Sequence, residues 1–525
     1  MTATFLRIAA IVRADFLIRF RRVSTVVIFL LLSSVAYLWI PAPSTGRTLM
    51  QVDGRRVLYN SAAVGMATAM LGMIFIGMAG FYVISNAVRR DVSSRCGLIM
   101  ASTTMRSGEY LFGKFLGNAV FLATFMAGFM LSSMAMLIVR GEAPLQPFVF
   151  AGQYAMMVPS AIVFVSVLAI VFESIPFLSG RFGDVVYFML WVSSIGFVVP
   201  SFEQGASGPG LAGFFDFSGM GFAFDQLHRV LHTKAMSIGQ TDFDAAKGTM
   251  VFHGLTLGNG WLLPRIGSTL IPMTLLFVAR ISFHRFDPVR VKQVSGTERR
   301  GWLARANALA KPLARPLAFL ATGGASEPSI FNSARADALL TVESTPVMLL
   351  VIAGFAIASL ASGTQALMNG VLPIAFAALA VFLADVSCRE QRAGTRAFVE
   401  STPRIKSHFV LWKLITSLLL SLGFLFVPIV RVAITMPARL VPLAAGILFV
   451  CALATSLGVI SANPKTFIVV FLSFTYIVVN GKGLNPWLDY AGFFGKSSLA
   501  VMLVYSGIGV ATLVAAHWFR ARRAD

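Results

Sequence analysis

The chain has 525 residues, of which 57% are hydrophobic and only 12% charged, and its mean hydropathy is +0.79. A water-soluble chain of that length could not cover so much apolar surface, which excludes an ordinary cytosolic enzyme, a secreted disulfide scaffold and a disordered protein, and leaves a polytopic helical membrane protein. The formal net charge of +21 would suggest nucleic-acid binding in a soluble protein, but here the basic residues fall between long apolar runs, where they set membrane orientation, and no nucleic-acid partner is expected.

In chain order, Arg7, Arg13, Arg19, Arg21 and Arg22 precede the apolar run 23–40. That run is too long for a signal-peptide core and has no convincing cleavage site, so it reads as a retained first span. Further runs of spanning length lie near 62–88, 112–139, 148–172, 184–200 and 262–283. After a polar stretch the pattern resumes near 346–362, 367–386, 408–430, 440–459, 466–480 and 498–519, which makes about twelve predicted spans. With a cytoplasmic N-terminus, 30 of the 43 Lys and Arg residues fall on the cytoplasmic side. The positive-inside rule therefore predicts both termini in the cytoplasm, in what reads as a bacterial inner membrane.

The longest outside loop, 201–260, is Gly-rich and is the one place for a small extracytoplasmic structure. The basic stretch 284–327 contains Lys311-Pro312 and Arg315-Pro316, which break any helix, and it divides a first half, 1–283, from a second, 328–525.

The halves carry an internal repeat. Arg90-Asp91, Ser102-Thr103 and Lys114 align with Arg389-Glu390, Ser401-Thr402 and Lys413 at one constant offset of 299 residues, while Gly97 and Gly394 are displaced from each other by two positions. A second echo opens each half, where Arg13-Ala14-Asp15 and Arg335-Ala336-Asp337 each begin a short mixed segment before a span. Such a segment can lie along the inner interface as a helix with its arginines toward lipid phosphates.

With these residues the chain resembles the membrane subunits of type-2 ABC exporters, whose six-span half has an interfacial N-terminal helix and a charged loop between spans 2 and 3. The first half supplies that loop with Arg90-Asp91, Gly97, Ser102-Thr103 and Tyr110-Leu111-Phe112-Gly113-Lys114. The second supplies Arg389-Glu390, Gly394-Thr395, Ser401-Thr402-Pro403 and Phe409 to Lys413, with Trp412 where Gly is expected. The resemblance implies an all-α polytopic fold of two repeated six-helix halves, with interfacial N-terminal helices and cytoplasmic coupling helices. It also implies that the loops dock on a separate cytoplasmic ATP-binding subunit, as a dimer, which carries the ATP and Mg. Arg90, Asp91, Ser102, Thr103, Lys114, Arg389, Glu390, Ser401, Thr402 and Lys413 are then the coupling residues. Reversing the charge of Asp91 and Glu390 should on this view weaken docking and leave span packing nearly intact.

Other chemistry is poorly supported. Gly108 to Lys114 has P-loop spacing, but Phe115 stands where a Mg-binding hydroxyl is needed, so no ATP site is expected on this chain and the motor is another polypeptide. Gly205-Ala206-Ser207-Gly208 with His253 imitates an intramembrane serine protease, yet Pro209-Gly210 follows at once. His228 and His232, four apart near Asp225, are too few to predict a metal, and Cys96, Cys388 and Cys451 show no C-x-x-C spacing. Glu173, Asp184, Arg265, Asp385 and Arg431 lie near span ends, where snorkelling or interface placement suffices. An ion-coupled secondary transporter, the main alternative, needs an acid within the spans.

Overall fold

The computed structural model describes residues 2–21, 23–175, 209–231, 236–258, 260–283, 329–345, 347–480 and 485–522, with isolated positions between 178 and 194 and at 286 and 483. The chain divides into two compact units, Met1–Gly296 and Thr297–Asp525. The division falls within the predicted linker 284–327, which apart from Phe286 lies outside the described residues.

Among the described residues, 8 helices are long and apolar enough to cross a membrane: Ser61–Val92, Ser107–Arg140, Pro147–Ser174, Leu262–Ser282, Thr364–Leu383, Ser407–Phe424, Pro437–Ser461 and Leu499–Arg522. The protein is thus a helical, membrane-embedded, multi-pass chain. Four predicted stretches do not meet that measure by themselves. Val23–Trp39 and Pro464–Asn480 have 17 residues each and Val347–Ala361 has 15, so the longest rises only about 25 Å against a hydrocarbon core of about 30 Å. Most of 184–200 lies outside the described residues. The stretch 408–430 is interrupted at Leu425, which ends one helix at Phe424 and precedes another at Phe426. Pro428 accounts for this, because its ring cannot sit over the carbonyl four residues earlier in a continuous helix.

In the first unit, α1 (Thr2–Phe20) and α2 (Val23–Trp39) lead to a hairpin of β1 (Arg47–Val52) and β2 (Arg55–Val57). Asn60 then starts α3 (Ser61–Phe75) by accepting the Ala63 N–H at 2.8 Å. The chain continues through a wide turn, Ile76–Gly80, into α4 (Phe81–Ile84), α5 (Ala87–Ser93) and α6 (Cys96–Ser102). The long α7 (Ser107–Arg140) and α8 (Pro147–Ser174) follow, then α9 (Met220–Leu231), β3 (Met236–Asp242), β4 (Thr249–Met250) and α10 (Leu262–Ser282).

The four strands form one sheet in the order β3-β1-β2-β4, a feature missing from the all-helical expectation. Val52 pairs with Arg55 across Asp53 (φ 50°) and Gly54 (φ 83°), both left-handed, which is the two-residue turn that matches strand twist. Half of the sheet comes from the predicted extracytoplasmic loop 201–260 and half from the segment between the first two predicted spans.

Contacts sort this unit into two ends. At one end the sheet lies with residue 142 and the segment after β4: Glu142 receives Arg56 and the Tyr59 N–H, and Asn60 donates to the Phe252 carbonyl at 2.8 Å. At the other end α1, α5 and the start of α7 meet the end of α8, where Glu173 accepts N–H groups of Ala87, Val88 and Arg89.

In the second unit, α11 (Ile330–Ser344), capped by Ser329 on the Asn332 N–H, turns by 90° into α12 (Val347–Ala361). An amphiphilic helix lying across the direction of an apolar one is the geometry expected at a membrane surface. There follow α13 (Leu372–Leu383), α14 (Arg389–Ala393), α15 (Arg396–Glu400), α16 (Pro403–Phe424), α17 (Phe426–Thr435), α18 (Leu440–Ser461), α19 (Pro464–Asn480) and α20 (Leu499–Arg522). The core closes around Phe376, Phe449, Tyr490 and Tyr505, whose rings meet edge-on or tilted.

Candidate functional site

The repeated charges build the same object in each unit. In the first, α1 presents Ile11, Asp15 and Arg19 at four-residue spacing as its buried face, while Arg13 stays exposed. Asp15 meets the Lys114 ammonium at 2.9 Å and the Arg90 guanidinium at 2.5 Å. Lys114 also contacts Asp91 at 2.6 Å, and the Tyr110 hydroxyl donates to Asp91 at 2.8 Å. Arg19 donates to the Asn118 side chain and the Ile84 carbonyl, so α1 is tied to both α4 and α7.

In the second unit Asp337 of α11 meets Lys413 at 2.9 Å and Arg389 at 2.9 Å, and Lys413 also pairs closely with Glu390. Arg389 donates further to Thr341, one turn after Asp337, at 2.7 Å. The second constellation thus holds two acids against two bases, and the first adds a third base, the buried Arg19, 4.0 Å from Asp15. Lys114 is only 2% exposed and Lys413 0%. Burying an isolated charge costs several kcal/mol, so the near neutrality of each set is what permits it.

Six of the predicted site residues are therefore brought together, three per unit: Arg90, Asp91 and Lys114, and Arg389, Glu390 and Lys413. Their surroundings differ from the expectation of a charged face toward a partner, because Asp91 and Glu390 are buried and paired within their own unit. Ser102, Thr103, Ser401 and Thr402 are not part of the network. They are exposed at the far end of each loop, where Ser102, Thr103 and Ser401 close turns onto the carbonyls of Ile99, Met100 and Phe398.

Sequence reasoning missed Asp15 and Asp337 as members of the site. The Arg-Ala-Asp echo was the available signal, but it pointed to lipid through its arginines, whereas the aspartate two residues on faces inward.

The network holds two short helices in each loop, α5 and α6 in the first unit and α14 and α15 in the second. The residue between them is left-handed in both, Arg95 with φ 59° and Gly394 with φ 72°. These two positions obey the offset of 299, so Gly394 corresponds to Arg95 and not to a displaced Gly97. Gly97 has another reason to be glycine, because the Phe286 ring lies where its Cβ would be. Beyond the turn each loop exposes an apolar side chain at one repeat position: Ile99 is 70% exposed and Phe398 is 81% exposed.

The P-loop lookalike Gly108 to Lys114 is the first turns of α7, with its lysine committed to Asp15 and Asp91. Residues 201–208, with the serine of the protease lookalike, lie outside the described residues, as does His232. Asp225 accepts from Trp261 at 2.6 Å and from Arg229. Arg265, expected to snorkel at a span end, instead points inward. It is buried against Asp216, Ser160 and the carbonyls of Met156 and Met157, just before Pro159 in α8. Pro159 has no N–H for the carbonyl four residues earlier and distorts that turn of α8, where an external donor is useful.

No protein-family model matches the sequence, and no curated protein or solved structure shows significant similarity to it.

Proposed function

We propose that this chain is the membrane subunit of a type-2 ABC exporter, made of two repeated six-span halves, in which the loops 89–106 and 388–403 couple the spans to a separate cytoplasmic ATPase dimer. In this reading α2, α12 and α19 serve as spans by tilting little and drawing the bilayer to their length, and with the apolar run 184–200 the count comes to about twelve. Both termini and both loops face the cytoplasm of the bacterial inner membrane, and ATP is hydrolysed only on the partner.

One observation carries the reading. In each unit a buried, nearly neutral charge network fixes a two-helix loop to the interfacial helix and to a spanning helix, and the loop exposes an apolar residue, Ile99 or Phe398, at equivalent positions. A rigid support beneath an exposed apolar knob is the arrangement that transmits a partner's motion to a helix. The buried charges supply the rigidity and the exposed apolar residues supply the contact.

The test is Ile99→Ser combined with Phe398→Ser. Surface truncations of this kind change stability by about 0.5 kcal/mol, whereas loss of a buried anchor at an interface weakens binding by about thirty-fold or more. The expected result is an unchanged melting temperature with loss of the ATP-binding subunit on co-purification. Full recovery of that subunit with normal transport would overturn the proposal.

A further inference from the structure

The two networks differ in the loop acid, Asp91 against Glu390, and in the aromatic residue beside it. In the first unit the Tyr110 hydroxyl donates to Asp91 Oδ2, the oxygen that Lys114 also contacts, and Phe286 packs edge-on against Tyr110 with ring centroids 5.2 Å apart. At the matching position of the second unit stands Phe409, which has no hydroxyl. Glu390 Oε1 is taken by Lys413, while Glu390 Oε2 and the Ser387 hydroxyl are buried with no hydrogen-bond partner among the described residues. Where Phe286 fills the first unit, the second has a small, half-open cleft lined by Ser387, Glu390, Arg396, Phe409, Phe519 and Arg520. The Arg520 guanidinium forms part of its wall, stacked on the Phe409 ring at 3.7 Å.

A buried carboxylate oxygen without a donor is costly, so the cleft asks for a ligand that brings N–H or O–H groups to Glu390 and Ser387. A lone cation fits poorly, because Glu390 is already shared with Lys413 and the walls add two arginines. A zwitterion that joins an ammonium to an anion fits both. The cleft opens where the starts of α16 and the ends of α18 and α20 converge, at the level of lipid headgroups if these helices span. We propose that it binds the phosphoethanolamine headgroup of a membrane phospholipid, the ammonium donating to Glu390 Oε2 and Ser387 Oγ and the phosphate facing Arg396 and Arg520. This assignment does not depend on the exporter reading, and its test needs no ATPase.

The full-length protein in detergent is titrated with short-chain phosphatidylethanolamine, with the phosphatidylcholine of equal chain length, and with free phosphoethanolamine, and binding is followed by native mass spectrometry and by melting temperature. Methylation removes every N–H of the ammonium while keeping its charge, so phosphatidylethanolamine should bind about ten-fold more tightly than phosphatidylcholine, the effect of lost hydrogen bonds to a charged group. Free phosphoethanolamine should bind more weakly than the lipid. In Phe409→Tyr the new hydroxyl extends into the cleft beside Glu390, where it takes up space and offers the carboxylate a donor, so the preference should vanish while the melting temperature holds or rises. Ser387→Ala should reduce the preference as well. Equal binding of the two lipids would overturn the proposal and mean that water or a partner's side chain fills the cleft. A preference that survives Phe409→Tyr would place the lipid elsewhere, and equal binding of the free headgroup would remove the lipid assignment.

Discussion

Lys114 and Lys413 are each shared by two carboxylates and shielded from water, so no solvent shell can compensate for the loss of one partner. Lys114→Met or Lys413→Met leaves two buried acids with only the neighbouring arginine side chains to balance them, and breaking a buried pair from one side costs about 3 to 5 kcal/mol. Each variant is expected to lower the melting temperature in detergent sharply and to reduce yield. Asp91→Lys with Glu390→Lys belongs to the same class, because both acids are buried; it should fail in folding, where an exposed docking face would have lost only its partner. The cysteines give a second residue-scale prediction. Cys388 is buried beside Asp385, and burial, helped by that carboxylate, pushes its thiol up to about 12. At pH 8 only about one such thiol in ten thousand is ionised, and the thiolate is the reactive form. A maleimide added to opened membranes at pH 8 should therefore label the exposed Cys96 and spare Cys388 until the protein is denatured. Labelling of Cys388 in the native protein would contradict its placement. The charges of the site were legible in the sequence as a repeat, but their direction was not, since spacing along a chain does not say which residues α1 and α11 will cover.

At the scale of elements, α5 shows how a short helix is held in place by a neighbour. Asn86, left-handed with φ 74°, ends the preceding helical segment, and Glu173 of α8 closes the exposed N–H groups of Ala87, Val88 and Arg89. A carboxylate at this position satisfies unpaired donors and opposes the positive end of the helix, a contribution of about 0.5 to 2 kcal/mol. Glu173→Ala should accelerate amide hydrogen exchange at 87–93 and leave the exchange of α3 and α8 unchanged; uniform protection would show that the cap is dispensable. The sheet was legible and was passed over. Asp53-Gly54 between Thr48-Leu49-Met50-Gln51-Val52 and Arg55-Arg56-Val57 is a hairpin signal, but in a chain this apolar the periodicity of the spans dominates the reading. The partner strand β3 could not be found in the same way, because Met236–Asp242 joins β1 from nearly two hundred residues away.

For the whole molecule, the long apolar helices were visible because a bilayer demands unbroken runs that no soluble fold needs, whereas Val23–Trp39, Val347–Ala361 and Pro464–Asn480 are shorter than hydropathy alone suggests. The long separation between partners in the buried networks has a consequence for biosynthesis. Lys114 leaves the ribosome 99 residues after Asp15, and Lys413 follows Asp337 by 76. At about 5 to 20 residues per second, each aspartate waits roughly 4 to 20 s for its lysine. During that interval the carboxylate of α1 or α11 has at most the arginine of its set, Arg90 or Arg389, and its lysine seat is open to water at the membrane surface. Only the emergence of α7 or α16 lets it settle. A nascent chain released at residue 106 should accordingly be degraded faster in a pulse-chase experiment than one released at residue 145, although both contain α1, α2 and α3. Equal lifetimes would show that α1 finds its seat without Lys114. The order of synthesis thus makes the lysine of each half the latch that closes last, and a half that never receives it stays open to the cell's proteases.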